Sequence, residues 1–96
     1  MCGIIGISSN KSVSANIVNS LKKLEYRGYD SAGIATLSEN VINEIKSKGR
    51  VENLEKNFNL KSLSGNIGIG HVRWATHGIP NSINAHPHSS HNVSVV

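Results

Sequence analysis

One thiol occupies the second position of this 96-residue chain, in Met1-Cys2-Gly3-Ile4-Ile5-Gly6, and Cys2 is the sole cysteine. Cysteine is small enough for aminopeptidases to accept as a second residue, so removal of Met1 is expected. The trimmed chain would carry a thiol and a free α-amino group on a single carbon. Only a few per cent of an ordinary thiol is thiolate at pH 7. An α-amine, with a pKa of roughly 7.7–8.0, can take the thiol proton near neutrality. Nucleophile and base then come from one residue, and no histidine is required. The chemistry open to such a pair is attack on an amide or ester carbonyl through a thioester. The competing reading makes Cys2 an incidental terminal residue, and position alone favours it.

An acyl-transfer site also needs substrate anchors and oxyanion donors. The stretch Arg73-Trp74-Ala75-Thr76-His77-Gly78 offers anchors. No Asp or Glu follows Glu55, so Arg73 lacks an acidic sequence neighbour and an external anion is its expected partner. A guanidinium can grip a carboxylate through two parallel hydrogen bonds. Thr76 and His77 add polar contacts, and Trp74 an apolar lid. Taken singly, Arg73 reads as a surface arginine and Trp74 as a core aromatic. A metal-binding alternative rests on His86, His88 and His91, with His71 and His77 upstream. It has no second thiol and no nearby carboxylate, and Pro87 breaks any helical register, so no metal is expected.

Composition narrows the classes further. Ten Lys and Arg against six Asp and Glu give +4 and a pI near 9.5. The basic residues are scattered, and one Trp, two Tyr and one Phe leave little to stack on bases, which argues against nucleic acid. A single cysteine excludes an intramolecular disulfide and a multi-thiolate zinc site, and suits a reducing compartment. Ile4 to Ile7 is too short for a signal peptide, and nothing approaches the length needed to span a bilayer. A cytoplasmic protein without membrane partners is expected.

The elements that must position these residues follow from hydrophobic spacing. Cys2 to Ile7 reads as a short buried strand and Ser8-Ser9-Asn10 as a turn. Val13, Ile17, Leu21 and Leu24 recur at helical spacing, which predicts a helix from Ser12 to Tyr26, capped by Ser12 and ended by Gly28. Ala32 to Leu37 and Val41 to Ile45 flank Ser38-Glu39-Asn40 and predict an antiparallel hairpin. Val51, Leu54 and Phe58 mark a second short helix. Ser64-Gly65-Asn66 is a turn leading to a strand from Ile67 to Val72, whose glycines allow close approach of another backbone. Arg73 to Asn92 reads as a long polar loop. Val93 to Val96 starts a further strand, and an apolar run at the terminus is the pattern expected of a truncated domain.

Three blocks carry a resemblance: "MCGIIG", "LEYRGYDSAGIA" from Leu24 to Ala35, and "HVRWATHGIP…NAHPH" from His71 to His88. Together they resemble the N-terminal glutaminase domain of the glutamine–fructose-6-phosphate aminotransferase family, a class II glutamine amidotransferase, along the whole chain. The resemblance implies an α+β N-terminal-nucleophile hydrolase fold, a four-layer α/β/β/α sandwich that is incomplete here. It implies that Cys2 attacks the side-chain amide of glutamine, forming a γ-glutamyl thioester and releasing ammonia. Arg73 would hold the glutamine α-carboxylate, and Thr76 and His77 would complete that pocket. Trp74 would stand near the ammonia path, and Arg27 would buttress the nucleophile loop. Ammonia would aminate fructose 6-phosphate in an isomerase half, within a homodimer, with no metal or organic cofactor.

Family members continue into an Asn-Gly pair that forms the oxyanion hole, an aspartate that binds the substrate amine, and sugar-phosphate isomerase domains. Residues 1–96 are accordingly expected to be the N-terminal part of the glutaminase domain, a fragment inactive alone. The alternatives are another class II amidotransferase with a different acceptor, or a His-rich metal-binding fragment.

Overall fold

The computed structural model describes residues 2–60, 63–74, 78–79 and 81–96. Their order is β1 (Gly3–Ser8), α1 (Ser14–Leu24), a 3-10 turn (Glu25–Arg27), β2 (Ser31–Ser38), β3 (Val41–Lys48), α2 (Glu52–Asn57), β4 (Ile67–Arg73), β5 (His88–Ser89) and β6 (Ser94–Val95). The four longer strands form one antiparallel sheet in the order β1-β4-β2-β3, while β5 and β6 pair with each other. The β1–β4 register runs from Gly3↔Val72 to Ser8↔Ile67, and β2 pairs with β4 from Ser31↔Arg73 to Leu37↔Ile67.

The apolar stripe of α1 lies on one face of this sheet. Val13, Ile17, Val18 and Leu21 are buried there with Ala32, Ile34, Ile45 and Val72, and Val51, Leu54 and Leu63 extend the same cluster. Each aliphatic side chain so buried contributes about 1.5–3 kcal/mol over an exposed one. Gly68 and Gly70 of β4 make this contact possible. A Cβ at Gly70 would stand 2.6 Å from Ile17 Cγ2 and 3.1 Å from Leu21 Cδ1. The glycines of β4 therefore admit helix side chains, where the sequence suggested the approach of another backbone.

Helix α1 starts later than its spacing predicts, and Ser12 does not cap it. Val13 occupies the N-cap position without a side-chain cap. Its own backbone N–H donates to the Gly65 carbonyl (3.0 Å), a tertiary bond that ties the helix start to the turn before β4. At the other end the helix tightens into the Glu25–Arg27 turn, closed by the Gly28 N–H on the Glu25 carbonyl (3.1 Å). Gly28 is extended rather than left-handed, so it follows the helical segment without acting as a left-handed cap. The hairpin is present and longer than predicted, because β3 runs on to Lys48. Glu39 and Asn40 turn it with φ of 51° and 64°, the left-handed pair of a tight two-residue connection.

The opposite face carries the segment read as a long polar loop. It contains β5, and it lies across β4, β2 and β3. His86 stacks on His71, Lys46 Nζ donates to the Ile83 carbonyl (3.4 Å), and the Ser89 hydroxyl donates to the Glu44 carboxylate. Beyond it this face is open, and Ala35, Leu37, Ile42, Ile67 and Ile69 line an apolar cavity of about 240 Å³. One sheet with its helical layer makes two of the four layers that the resemblance implies.

Gly33 sits directly beneath the His86 carbonyl, and a Cβ there would collide with it and approach Pro87 Cδ to 2.9 Å. A Cβ at Gly6 would meet only Ile69 Cγ2, at 4.0 Å. Gly33→Ala should therefore lower unfolding stability by about 1–3 kcal/mol, as overpacking does. Gly6→Ala should stay within about 0.5 kcal/mol. Urea unfolding of both variants checks the contrast.

Candidate active site

Pairing Gly3 with Val72 places the start of β1 beside the end of β4. Cys2 thus comes next to Arg73 and Trp74, although some seventy residues separate them in sequence. The exposed Cys2 thiol points at the Trp74 carbonyl, with Sγ 3.9 Å from the oxygen. Arg27, delivered by the turn after α1, donates Nε–H to the Cys2 carbonyl at 2.9 Å. That bond holds the backbone of the thiol-bearing residue, the buttressing expected of Arg27. Tyr26, Arg27, Gly28, Tyr29 and Trp74 line a cavity of about 310 Å³. Cys2 itself does not line it, and is joined to two of its lining residues, Arg27 and Trp74.

Arg73 is not a surface arginine: it is only 8% exposed. Its guanidinium donates from Nη1 to the Ile79 carbonyl and from Nη2 to the Gly78 carbonyl, both at 3.4 Å. Trp74 is not a core aromatic: it is 48% exposed, with its ring edge-on to Tyr29. Thr76 and His77 lie outside the described residues. Sequence reasoning passed over the residues that shape the turn around Arg73. Gly78 has φ +80°, and Asn84 Nδ2 donates to the Ile79 carbonyl at 3.0 Å. Asn84 in turn has its N–H held by Asn81 Oδ1 at 2.7 Å. The Gly-Ile-Pro-Asn string was the available signal, since such residues build turns.

His71, His86 and His88 form a row of rings with centroids 4.4 and 4.5 Å apart. Among the described residues no three His, Cys, Asp or Glu side chains converge to hold a metal ion. The histidines join β4 to the covering segment by ring contact, and the metal-binding alternative is not favoured.

With this geometry established, the likeness to known proteins is informative. Along its whole length the chain is 56% identical to glutamine–fructose-6-phosphate aminotransferase (isomerizing) of Clostridium acetobutylicum. It is 60% identical over 89 residues, 93% of the chain, to the enzyme of that name from Pyrococcus horikoshii. From end to end, the chain matches the N-terminal region of the glutamine–fructose-6-phosphate aminotransferases. It spans 16% of the length of the Clostridium relative and 15% of the Pyrococcus one. No protein-family model matches it.

Among solved structures, the glutamine phosphoribosylpyrophosphate amidotransferase of B. subtilis, complexed with ADP and GMP, superposes with a TM-score of 0.80 at 27% identity. That match covers 98% of this chain and 20% of the other. The fold is that of the N-terminal-nucleophile glutamine amidotransferases, α+β and incomplete over these residues.

The histidine row makes stability depend on pH. His71 is 5% exposed, and burial, then the neighbouring His86 and Arg73, push its pKa down to about 4. His86 is lowered as well, by burial and then by His88, Arg73 and Lys46. Among the described residues, Nδ1 of both rings is buried without a hydrogen-bond partner. The unfolded chain takes up protons near the ordinary histidine value of 6.5, while the folded chain refuses them until about pH 4. The stabilisation is therefore complete above pH 6.5 and is lost as pH falls toward 4. Urea unfolding at pH 7.5 and pH 4.5 should show this loss. His71→Met, which removes the titrating ring, should lose less stability over that interval than the parent chain.

Proposed function

We propose that this chain is the glutamine-hydrolysing part of a glutamine–fructose-6-phosphate transaminase (isomerising). The observation that carries the proposal is the β1–β4 register, which sets the Cys2 thiol against the Arg73-Trp74 end of β4 beside a cavity. The match to relatives bearing that name supports the choice of acceptor. A different class II amidotransferase is the weaker reading, because the purine-pathway structures resemble this chain at 27–28% identity while the aminotransferases reach 60%.

In the proposed reaction Met1 is removed and the α-amine of Cys2 accepts the thiol proton. The sulfur adds to the side-chain carbonyl carbon of glutamine, and the amine returns the proton to the departing nitrogen. The C–N bond breaks, ammonia leaves, and a γ-glutamyl thioester remains on Cys2. Water then adds to the thioester, glutamate departs, and the thiol is restored. Arg73 binds the α-carboxylate of glutamine, with Thr76 and His77 completing the pocket. Its guanidinium is already fixed by the Gly78 and Ile79 carbonyls, so little side-chain freedom would be lost on binding. Trp74 borders the route by which ammonia leaves toward an isomerase half that aminates fructose 6-phosphate.

Assembly as a homodimer and a cytoplasmic location belong to the same proposal. Among the described residues, no helix is long and apolar enough to cross a membrane. The 96 residues contain no Asn-Gly pair, the motif to which the resemblance assigns the oxyanion donors. The loss of one such donor typically costs ~10²–10³ in turnover. Slow turnover by the 96-residue chain is the expected consequence.

Covalent labelling bypasses slow turnover. A glutamine-mimicking electrophile should modify Cys2 in chains that lack Met1, with protection by glutamine, and should leave Cys2→Ser unmodified. Mass spectrometry that found the label elsewhere, or equally on chains retaining Met1, would count against the proposal. Arg73→Lys replaces a two-pronged grip with a point charge. The half-saturating electrophile concentration should rise about 10–100-fold, the scale of one charged hydrogen bond.

A further inference from the structure

Tyr29 and Arg50 are among the residues near the candidate site that the proposed reaction leaves without a task. Arg50 precedes α2, and its side chain is 58% exposed. Two contacts nevertheless give it a direction. Its guanidinium carbon lies 4.5 Å from the centroid of the Tyr29 ring, and Nη1 is 3.2 Å from Glu25 Oε2. Its loop is pinned nearby, because the Gly49 N–H donates to the Asp30 carbonyl at 2.7 Å. Tyr29 then meets Trp74 edge to face, with centroids 5.7 Å apart and planes at 67°. Trp74 completes the series, since its carbonyl faces the Cys2 sulfur and its side chain helps line the cavity.

We propose that Arg50 is a positioning residue for Trp74, acting through the Tyr29 ring that it covers. A half-exposed indole has more than one rotamer within reach. Edge-to-face contact with Tyr29 favours the rotamer seen here, provided Tyr29 itself is fixed. Arg50, lying over the Tyr29 ring, fixes it, and Glu25 fixes Arg50. Each contact alone shifts populations by a few-fold to about tenfold. The series matters because Trp74 borders the cavity beside Cys2. Arg50 is not itself a lining residue and reaches the cavity only through Tyr29, which is one, so it is a positioning rather than a catalytic residue. Any consequence for glutamine chemistry rests on the function proposed above, whereas the effect on Trp74 does not.

Trp74 is the only tryptophan, so fluorescence excited beyond tyrosine absorption reports on it alone. In the full chain, Arg50→Ala should raise the acrylamide quenching constant of Trp74 about twofold or more and lower its anisotropy, with the circular dichroism unchanged. Arg50→Lys, which keeps a cation over the ring, should recover at least half of the change. Tyr29→Leu should reproduce the Arg50→Ala effect, and the double variant should add nothing to it. Quenching and anisotropy unchanged in Arg50→Ala would overturn the proposal. So would additive effects, because Arg50 would then act on Trp74 by a route other than Tyr29. Under the glutaminase reading, the labelling rate of Cys2 should also fall several-fold in Arg50→Ala and return in Arg50→Lys. A parent chain whose Cys2 resists labelling would count against the glutaminase reading and leave the optical result to decide the role of Arg50.

Discussion

Six backbone pairs, from Gly3↔Val72 to Ser8↔Ile67, tie the first strand of this protein to β4, which is itself central in the sheet. A terminal strand is ordinarily the part of a domain most apt to fray. Here it is held by a ladder on one side and by α1 across its face, where Ile5 and Ile7 pack against the core. A slip of one residue would turn Ile5 and Ile7 outward and carry Cys2 away from the Arg73-Trp74 corner. Register therefore links the hydrophobic core to the placement of the thiol. The apolar pattern of β1 serves packing and chemistry together.

The same economy governs β4. Its even-numbered positions, Gly68, Gly70 and Val72, face α1 and let the helix approach closely. Its odd positions include His71 and Arg73, which face the covering segment. Arg73 holds the Gly78 and Ile79 carbonyls, and His71 holds His86 by ring contact. One strand thus anchors the polar segment at two places, Gly78-Ile79 and His86. The bond from Arg27 to the Cys2 carbonyl adds a third tie, from the turn that ends α1.

Much of this was legible in the sequence, and the remainder was hidden for identifiable reasons. The stripe Val13, Ile17, Leu21 gives α1 because helical periodicity is local, and the hairpin is written in its two apolar runs around Glu39-Asn40. The start of α1 differs from its spacing because Val13, not Ser12, stands at the N-cap, tied to the Gly65 carbonyl by a tertiary bond that no local pattern reveals. The role of the β4 glycines was half legible: spacing shows that something must come close, but not whether backbone or side chain. Cys2 and Arg73 were identifiable by chemical type and family resemblance, yet only the β1–β4 register explains how they meet. Tyr29 and Arg50 escaped notice because ring and cation contacts between distant residues leave no periodic trace.

All of the proposed chemistry turns on a thiol whose proton acceptor is the α-amine of its own residue. Treating a chain that retains Met1 with methionine aminopeptidase, then exposing aliquots to the glutamine-mimicking electrophile and following Cys2 by intact-mass spectrometry, tests this directly. The account predicts that a covalent adduct on Cys2 grows in step with the trimmed fraction and is absent from untrimmed molecules. An adduct forming equally on molecules that still carry Met1 would contradict it.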